Sequence, residues 1–163
     1  MMLALAGAHQ IEPLIQTPAN ERNGVVSSDG RWLAYESDSS GRYEIWVRPF
    51  PNVSAGQWLI STDGGTRPLW SPDVQELFYV APGGALMAVR LNGRGSTWNA
   101  SPPAKVLEGP YEMELPQTSR TYDVSPDGQR FLVVKRSANQ VTPQIVVVQN
   151  WLEELNRLVP TER

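Results

Sequence analysis

Ser27-Ser28-Asp29-Gly30-Arg31-Trp32-Leu33-Ala34-Tyr35 returns twice along the chain. It reappears as Ser71-Pro72-Asp73-Val74-Gln75-Glu76-Leu77-Phe78-Tyr79 and as Ser125-Pro126-Asp127-Gly128-Gln129-Arg130-Phe131-Leu132-Val133. The aspartates stand 44 and then 54 residues apart. Self-similarity at such a period marks stacked β units, propeller blades among them. The first half of each copy is turn chemistry: Pro presets φ, Asp bonds its own backbone and Gly accepts a positive φ. Val74 stands where the other copies carry Gly30 and Gly128. The second turn is therefore expected to be strained or of another type.

Short strands precede the turns at 24–27, 68–71 and 122–125. The runs after them, 32–36, 77–81 and 131–135, are nearly continuous in apolar residues rather than alternating. That pattern predicts strands covered on both faces. Asp38-Ser39-Ser40-Gly41, Pro82-Gly83-Gly84 and residues 137–143 then read as hairpin turns into third strands at 43–47, 85–89 and 145–148. Fourth strands are expected at 57–61 and 104–108. The long connector 91–103 and the Pro-containing loop 108–117 account for the wider second spacing, and loops of such length often carry function. Near the start, Leu3-Ala4-Leu5-Ala6-Gly7 and Ile11-Glu12-Pro13-Leu14-Ile15 resemble a third and a fourth strand, so the chain is expected to enter in mid-blade. The first of these lacks the basic flank of a signal peptide.

At the other end the expected fourth strand gives way to Asn150-Trp151-Leu152-Glu153-Glu154-Leu155-Asn156-Arg157-Leu158. Asn150 suits an N-cap, with Glu153 three residues on as in a capping box. Leu152, Leu155 and Val159 share a helical face. The expectation is all-β: a partial β-propeller of about three and a half four-stranded antiparallel blades with a short C-terminal α-helix. The single domain 1–163 divides into a half blade at 1–17, blades at 24–61 and 66–108, a three-stranded blade at 120–149 and a helix at 150–159.

The chain has 163 residues, 40% of them hydrophobic, with six Trp and a net charge of −3. That is enough apolar material for a core and argues against disorder. No basic stripe suits nucleic acid. The absence of cysteine excludes disulfides, thiolate metal sites and cysteine nucleophiles. No apolar stretch reaches the length of a membrane span.

The run Ser-Pro-Asp-Gly-x-x-Leu-Ala-Tyr, followed by Ser-Asp-x-x-Gly-x-Tyr-Glu-Ile-Trp-Val, resembles the TolB-like (WD40-like) propeller repeat. The match covers Ser27 to Val47, Ser71 to Val89 and Ser125 to Val148. The segment Tyr43-Glu44-Ile45-Trp46-Val47-Arg48-Pro49-Phe50-Pro51 and the ending Asn150 to Leu155 narrow the likeness. They resemble the C-terminal propeller part of bacterial serine/threonine protein kinases. Propellers of this type are often extracytoplasmic, which the resemblance implies without fixing a compartment. No Gly-rich loop, His-Arg-Asp loop or Asp-Phe-Gly is present, so kinase activity does not carry over. Related propellers occur in prolyl-oligopeptidase-type peptidases, whose Gly-x-Ser-x-Gly elbow is missing here too.

Candidate chemistry is sparse. His9, the only histidine, reads as a turn residue, because neither a triad partner nor a pocket is indicated. Metal sites are not expected: zinc wants several His or Cys, and Asp29, Asp73 and Asp127 sit where Asx-turns need them, without EF-hand spacing. Glu112 and Glu114, with Asp123 beyond, read as solvated charges rather than an acid–base pair. Glu153 and Glu154 suit a helix N-terminus. Asn52-Val53-Ser54 and Asn99-Ala100-Ser101 match a glycosylation acceptor pattern by chance frequency. Trp32, Trp46, Trp58 and Trp70 are expected in the core. Trp98, in the connector, would anchor a partner or a sugar ring if exposed.

The reading is a non-catalytic scaffold, expected from the resemblance to be the C-terminal piece of a larger kinase-linked or TolB-like propeller, without catalytic, cofactor-binding or metal residues and without a cofactor. It binds a protein, a peptide or a small ligand at its loop face. The alternative is the propeller part of a prolyl-oligopeptidase-type peptidase or another propeller enzyme using carboxylates at a channel mouth. A truncated frame with no independent role is a third reading. Three assemblies compete: a homodimer that exchanges strands to close a six-bladed ring, an open arc capped by the C-terminal helix, and misassembly through unpaired edges.

Overall fold

The computed structural model describes residues 2–3, 11–92, 98–113 and 120–135. Within them the chain is all-β and contains no helix. β1 (Met2–Leu3) pairs with β2 (Ile11–Glu12). β3 (Glu21–Val26), β4 (Trp32–Ser37), β5 (Glu44–Pro49) and β6 (Trp58–Leu59) form a four-stranded sheet in that order. β7 (Thr66–Trp70), β8 (Glu76–Val80), β9 (Leu86–Arg90) and β10 (Ala104–Leu107) form a second. β11 (Tyr122–Val124) pairs with β12 (Phe131–Val133). All these pairings are antiparallel and join consecutive strands. The expected strand at 145–148 and helix at 150–159 lie outside the described residues, as does most of the strand placed at 3–7.

The first strands begin earlier than the sequence indicates, at Glu21 and Thr66. Pairing is interrupted between Arg22 and Val25 and again between Thr66 and Leu69. In each gap sits one residue with positive φ, Asn23 at 52° and Arg67 at 58°. A bulge of this kind hides a strand start from an alternation pattern. The fourth strands are shorter than expected at Trp58–Leu59, and the other ends at Leu107.

The three Ser-x-Asp turns share one set of bonds. Ser27 N–H donates to Trp32 O, Ser71 N–H to Glu76 O and Ser125 N–H to Arg130 O, at 2.8–2.9 Å. Gly30, Val74 and Gly128 donate back to the same serines' carbonyls at 2.8–3.0 Å. Their φ values are 72°, 59° and 69°. The second turn is thus the same turn, held with a β-branched residue in the left-handed region, so strain is what survives of the two expectations. Val74 is 8% exposed and packs into the core.

The cover expected for the second strands is met in two copies. All six residues of β4 are buried. Trp32 and Ala34 join Ile45 and Val47 against Trp70, Leu77, Tyr79 and Val89 of the second sheet. Leu33 and Tyr35 face the other way, onto Val53, Leu14, Ile15 and Phe50. β8 alternates likewise: Phe78 and Val80 turn to a second core with Leu86, Met113 and Tyr122. Phe78 meets Phe131 edge-on at 4.9 Å, tying β12 to that core. β12 departs from the pattern, with Leu132 74% exposed.

Candidate functional site

The aspartates of the turns are committed to the backbone. Asp29 Oδ1 accepts Ser27 Oγ–H at 2.6 Å and Arg31 N–H at 3.1 Å. Asp73 accepts Ser71 Oγ–H at 2.7 Å and Gln75 N–H at 3.1 Å. Asp127 accepts Ser125 Oγ–H and Gln129 N–H. Each serine hydroxyl also accepts the backbone N–H five residues on, of Trp32, Glu76 and Arg130. The serine of the triplet therefore has as definite a task as the aspartate. Burial pushes the Asp29 carboxyl up, but bonds from Ser27 and Arg31 outweigh it and hold the group below its ordinary value. The Ser125 bond does the same for Asp127, with help from the Gln129 amide. The turns stand side by side along one rim, where Ser28 Oγ donates to Pro72 O at 2.9 Å. A groove of about 580 Å3 separates the first two turns, and one of about 340 Å3 separates the second and third.

The remaining candidates do not converge. His9 and Glu114 lie outside the described residues, as do Glu153 and Glu154. Glu112 N–H donates to Val134 O at 2.8 Å. Asp123 is exposed, accepts Val124 N–H and stands 4.0 Å from Arg120. Asn52 and Asn99 are exposed. Trp98 is half-buried, stacked on Trp58 at 5.9 Å and edge-on to Trp32 and Trp70 at 5.2 and 6.3 Å. It anchors its connector to the core. Trp32 and Trp70 are buried, whereas Trp46 and Trp58 are half-buried.

Two fully buried carboxylates escaped the sequence reading. Glu36 accepts Arg22 Nε–H at 2.6 Å, Asn23 Nδ2–H at 2.7 Å and Arg67 N–H at 2.6 Å. Glu44 accepts Arg42 Nε–H at 2.7 Å, Ser61 Oγ–H at 2.5 Å and Gly64 N–H at 3.0 Å. Buried charges persist only when so satisfied. A Cβ on the next residue, Gly65, would meet Ser61 Oγ at 2.5 Å, so this corner admits no side chain there. Arg67 O in turn accepts Tyr122 Oη–H at 2.6 Å. One backbone unit, bent into positive φ, thus links β4 on one side and β11 on the other. Burial raises the Tyr122 hydroxyl and pushes Tyr79 up to about 12. A fully buried Glu36 was foreshadowed by its place in the apolar run after Asp29.

The outer face of the first sheet carries a cleft of about 780 Å3. Thr17, Asn20, Glu21, Tyr35, Asp38, Arg48 and Gln57 line it. Arg48 spreads over Tyr35, whose ring centroid is 5.9 Å from the guanidinium carbon. Asn20 closes one end through two bonds to Asp38, at 2.8 and 2.7 Å.

No protein-family model matches the chain. Over 57 residues, 34% of its length, it is 42% identical to a protein named dipeptidyl aminopeptidase BI from Pseudoxanthomonas mexicana. The match spans 8% of that protein's length.

Proposed function

We propose that the sheets are consecutive blades of a β-propeller and that the chain is a non-catalytic scaffold binding a protein, peptide or small ligand at its loop-lined faces. The observation that carries this reading is the adjacency of first strands. β7 packs on β3 and β4, Trp70 Nε1–H donates to Val25 O at 3.0 Å, and Tyr122 joins β11 to β7. Successive meanders whose first strands are neighbours are what radial repetition requires. The TolB-like resemblance and the shared turn bonds support the same arrangement. For function, the sequence lacks kinase and hydrolase-elbow motifs, and the aspartates and buried glutamates are spent on backbone and arginine partners. The test is incubation of the chain with a panel of dipeptidyl nitroanilides. No release above blank is expected; saturable release in proportion to the chain contradicts the scaffold reading.

The dipeptidyl aminopeptidase match favours a second reading, in which these blades are the propeller portion of a peptidase whose catalytic residues lie elsewhere in a longer protein. Sequencing the flanking reading frame separates this from the kinase-linked version. A Gly-x-Ser-x-Gly-bearing domain in frame supports it, and a kinase domain in frame contradicts it.

A further inference from the structure

We propose that the cleft beside Arg48 is a binding site for the carboxylate end of a short peptide, an inference that rests on the chain being a binding scaffold. Arg22, Arg31, Arg42, Arg90, Arg120 and Arg130 each have a carboxylate within 4.0 Å. Arg48 has none among the described residues. Its guanidinium is held instead by three neutral oxygens: Nε by Tyr35 Oη at 2.8 Å, Nη1 by Val53 O at 3.1 Å and Nη2 by Gln57 Oε1 at 2.8 Å. Each outer nitrogen keeps a second N–H. The fork is fixed in orientation and has no ion-pair partner among the described residues, so its remaining Nη1 and Nη2 N–H groups are the donors for capture of a carboxylate.

Tyr35 supplies a further donor. It is 3% exposed and accepts from Arg48, and its own hydroxyl proton has no acceptor among the described residues. Burial raises its pKa, so the proton stays on at neutral pH. Gln57 accepts through Oε1, and its amide donors remain at the cleft wall.

Two carboxylates on the same cleft set the rest of the ligand. Asp38 lies three residues beyond Tyr35 along β4 and its turn, and Glu21 pairs across from Ser37. Three residues of strand cover about 10 Å, the length of an extended tripeptide. A ligand with its carboxylate on Arg48 thus brings an amino group or basic side chain to Glu21 and Asp38. A phosphate, with more negative charge and no cation, would meet those two acids unfavourably.

The experiment is calorimetric titration of the whole chain with lysyl-glycyl-glycine and with its C-terminal amide. The free acid is expected to bind about tenfold or more tightly than the amide, the worth of a charge-assisted pair. Arg48→Lys, which keeps charge and loses the fork, is expected to abolish that preference. Gln57→Ala, at an exposed position, is expected to weaken the acid selectively without disturbing the fold. Equal binding of acid and amide, an unchanged preference in Arg48→Lys, or no heat from either ligand at millimolar concentration overturns the site. These results in a chain that hydrolyses nothing leave the scaffold reading standing. Release of lysine from the tripeptide contradicts the scaffold reading itself.

Discussion

Val74 shows how one position balances strain against burial. Its φ of 59° is unfavourable for a β-branched side chain by about 1–2 kcal/mol. Its buried isopropyl group returns about 1.5–2 kcal/mol in the core between the sheets. The two terms nearly cancel, so Val74→Gly is expected to change unfolding stability by less than about 1 kcal/mol. Val47→Ala, fully buried with ordinary backbone, is expected to cost about 2 kcal/mol. Urea denaturation of both variants checks the pair; a Val74→Gly loss as large as that of Val47→Ala removes the strain. The aspartates give a second residue-scale expectation. Bonds from Ser125 and the Gln129 amide lower Asp127 below its ordinary 3.8. A depressed carboxylate contributes stability above its unfolded pKa and loses it as pH falls through the folded value. Stability is therefore expected to decline below about pH 4. In Ser125→Ala, NMR titration should find Asp127 moved back up toward 3.8.

At the level of elements, Glu36 and Tyr122 act on the same residue from opposite sheets. Glu36→Ala strips partners from Arg22, Asn23 and the Arg67 amide, and is expected to cost about 3 kcal/mol. Tyr122→Phe leaves the Arg67 carbonyl without its buried donor and is expected to cost about 1–2 kcal/mol. Chemical denaturation measures both, and a loss under 0.5 kcal/mol in each, about the size of a surface substitution, denies the link. What a sequence can and cannot disclose divides at this point. The Ser-x-Asp turns were legible because their bonds span two to five residues, and their residue types state the geometry. The double cover of β4 was legible from an unbroken apolar run. The roles of Arg67 and Arg48 were not, because Glu36 lies 31 residues from Arg67, Tyr122 lies 55 residues from it, and the Arg48 partners come from β4 on one side and from the loop between β5 and β6 on the other. The bulges were equally hidden, since Asn23 and Arg67 carry no glycine to announce positive φ.

At the scale of the whole molecule, each sheet has two faces, and the middle one is covered on both by its neighbours. Interfaces of this kind, repeated about an axis, would make the sheets mutually dependent, so that stability builds from each blade and its contacts with the next. The function proposed here follows from that frame: rigid strands carry turns and clefts whose side chains are already oriented before a ligand arrives. In the proposed propeller the sheets stand radially, with β3, β7 and β11 innermost. A crystal structure of the chain tests this arrangement. The expected result is successive sheets rotated about a common axis, first strands side by side around it, and Arg67 bonded to both Glu36 and Tyr122. Two sheets stacked face to face as a sandwich, with β3, β7 and β11 on separate edges, would contradict it.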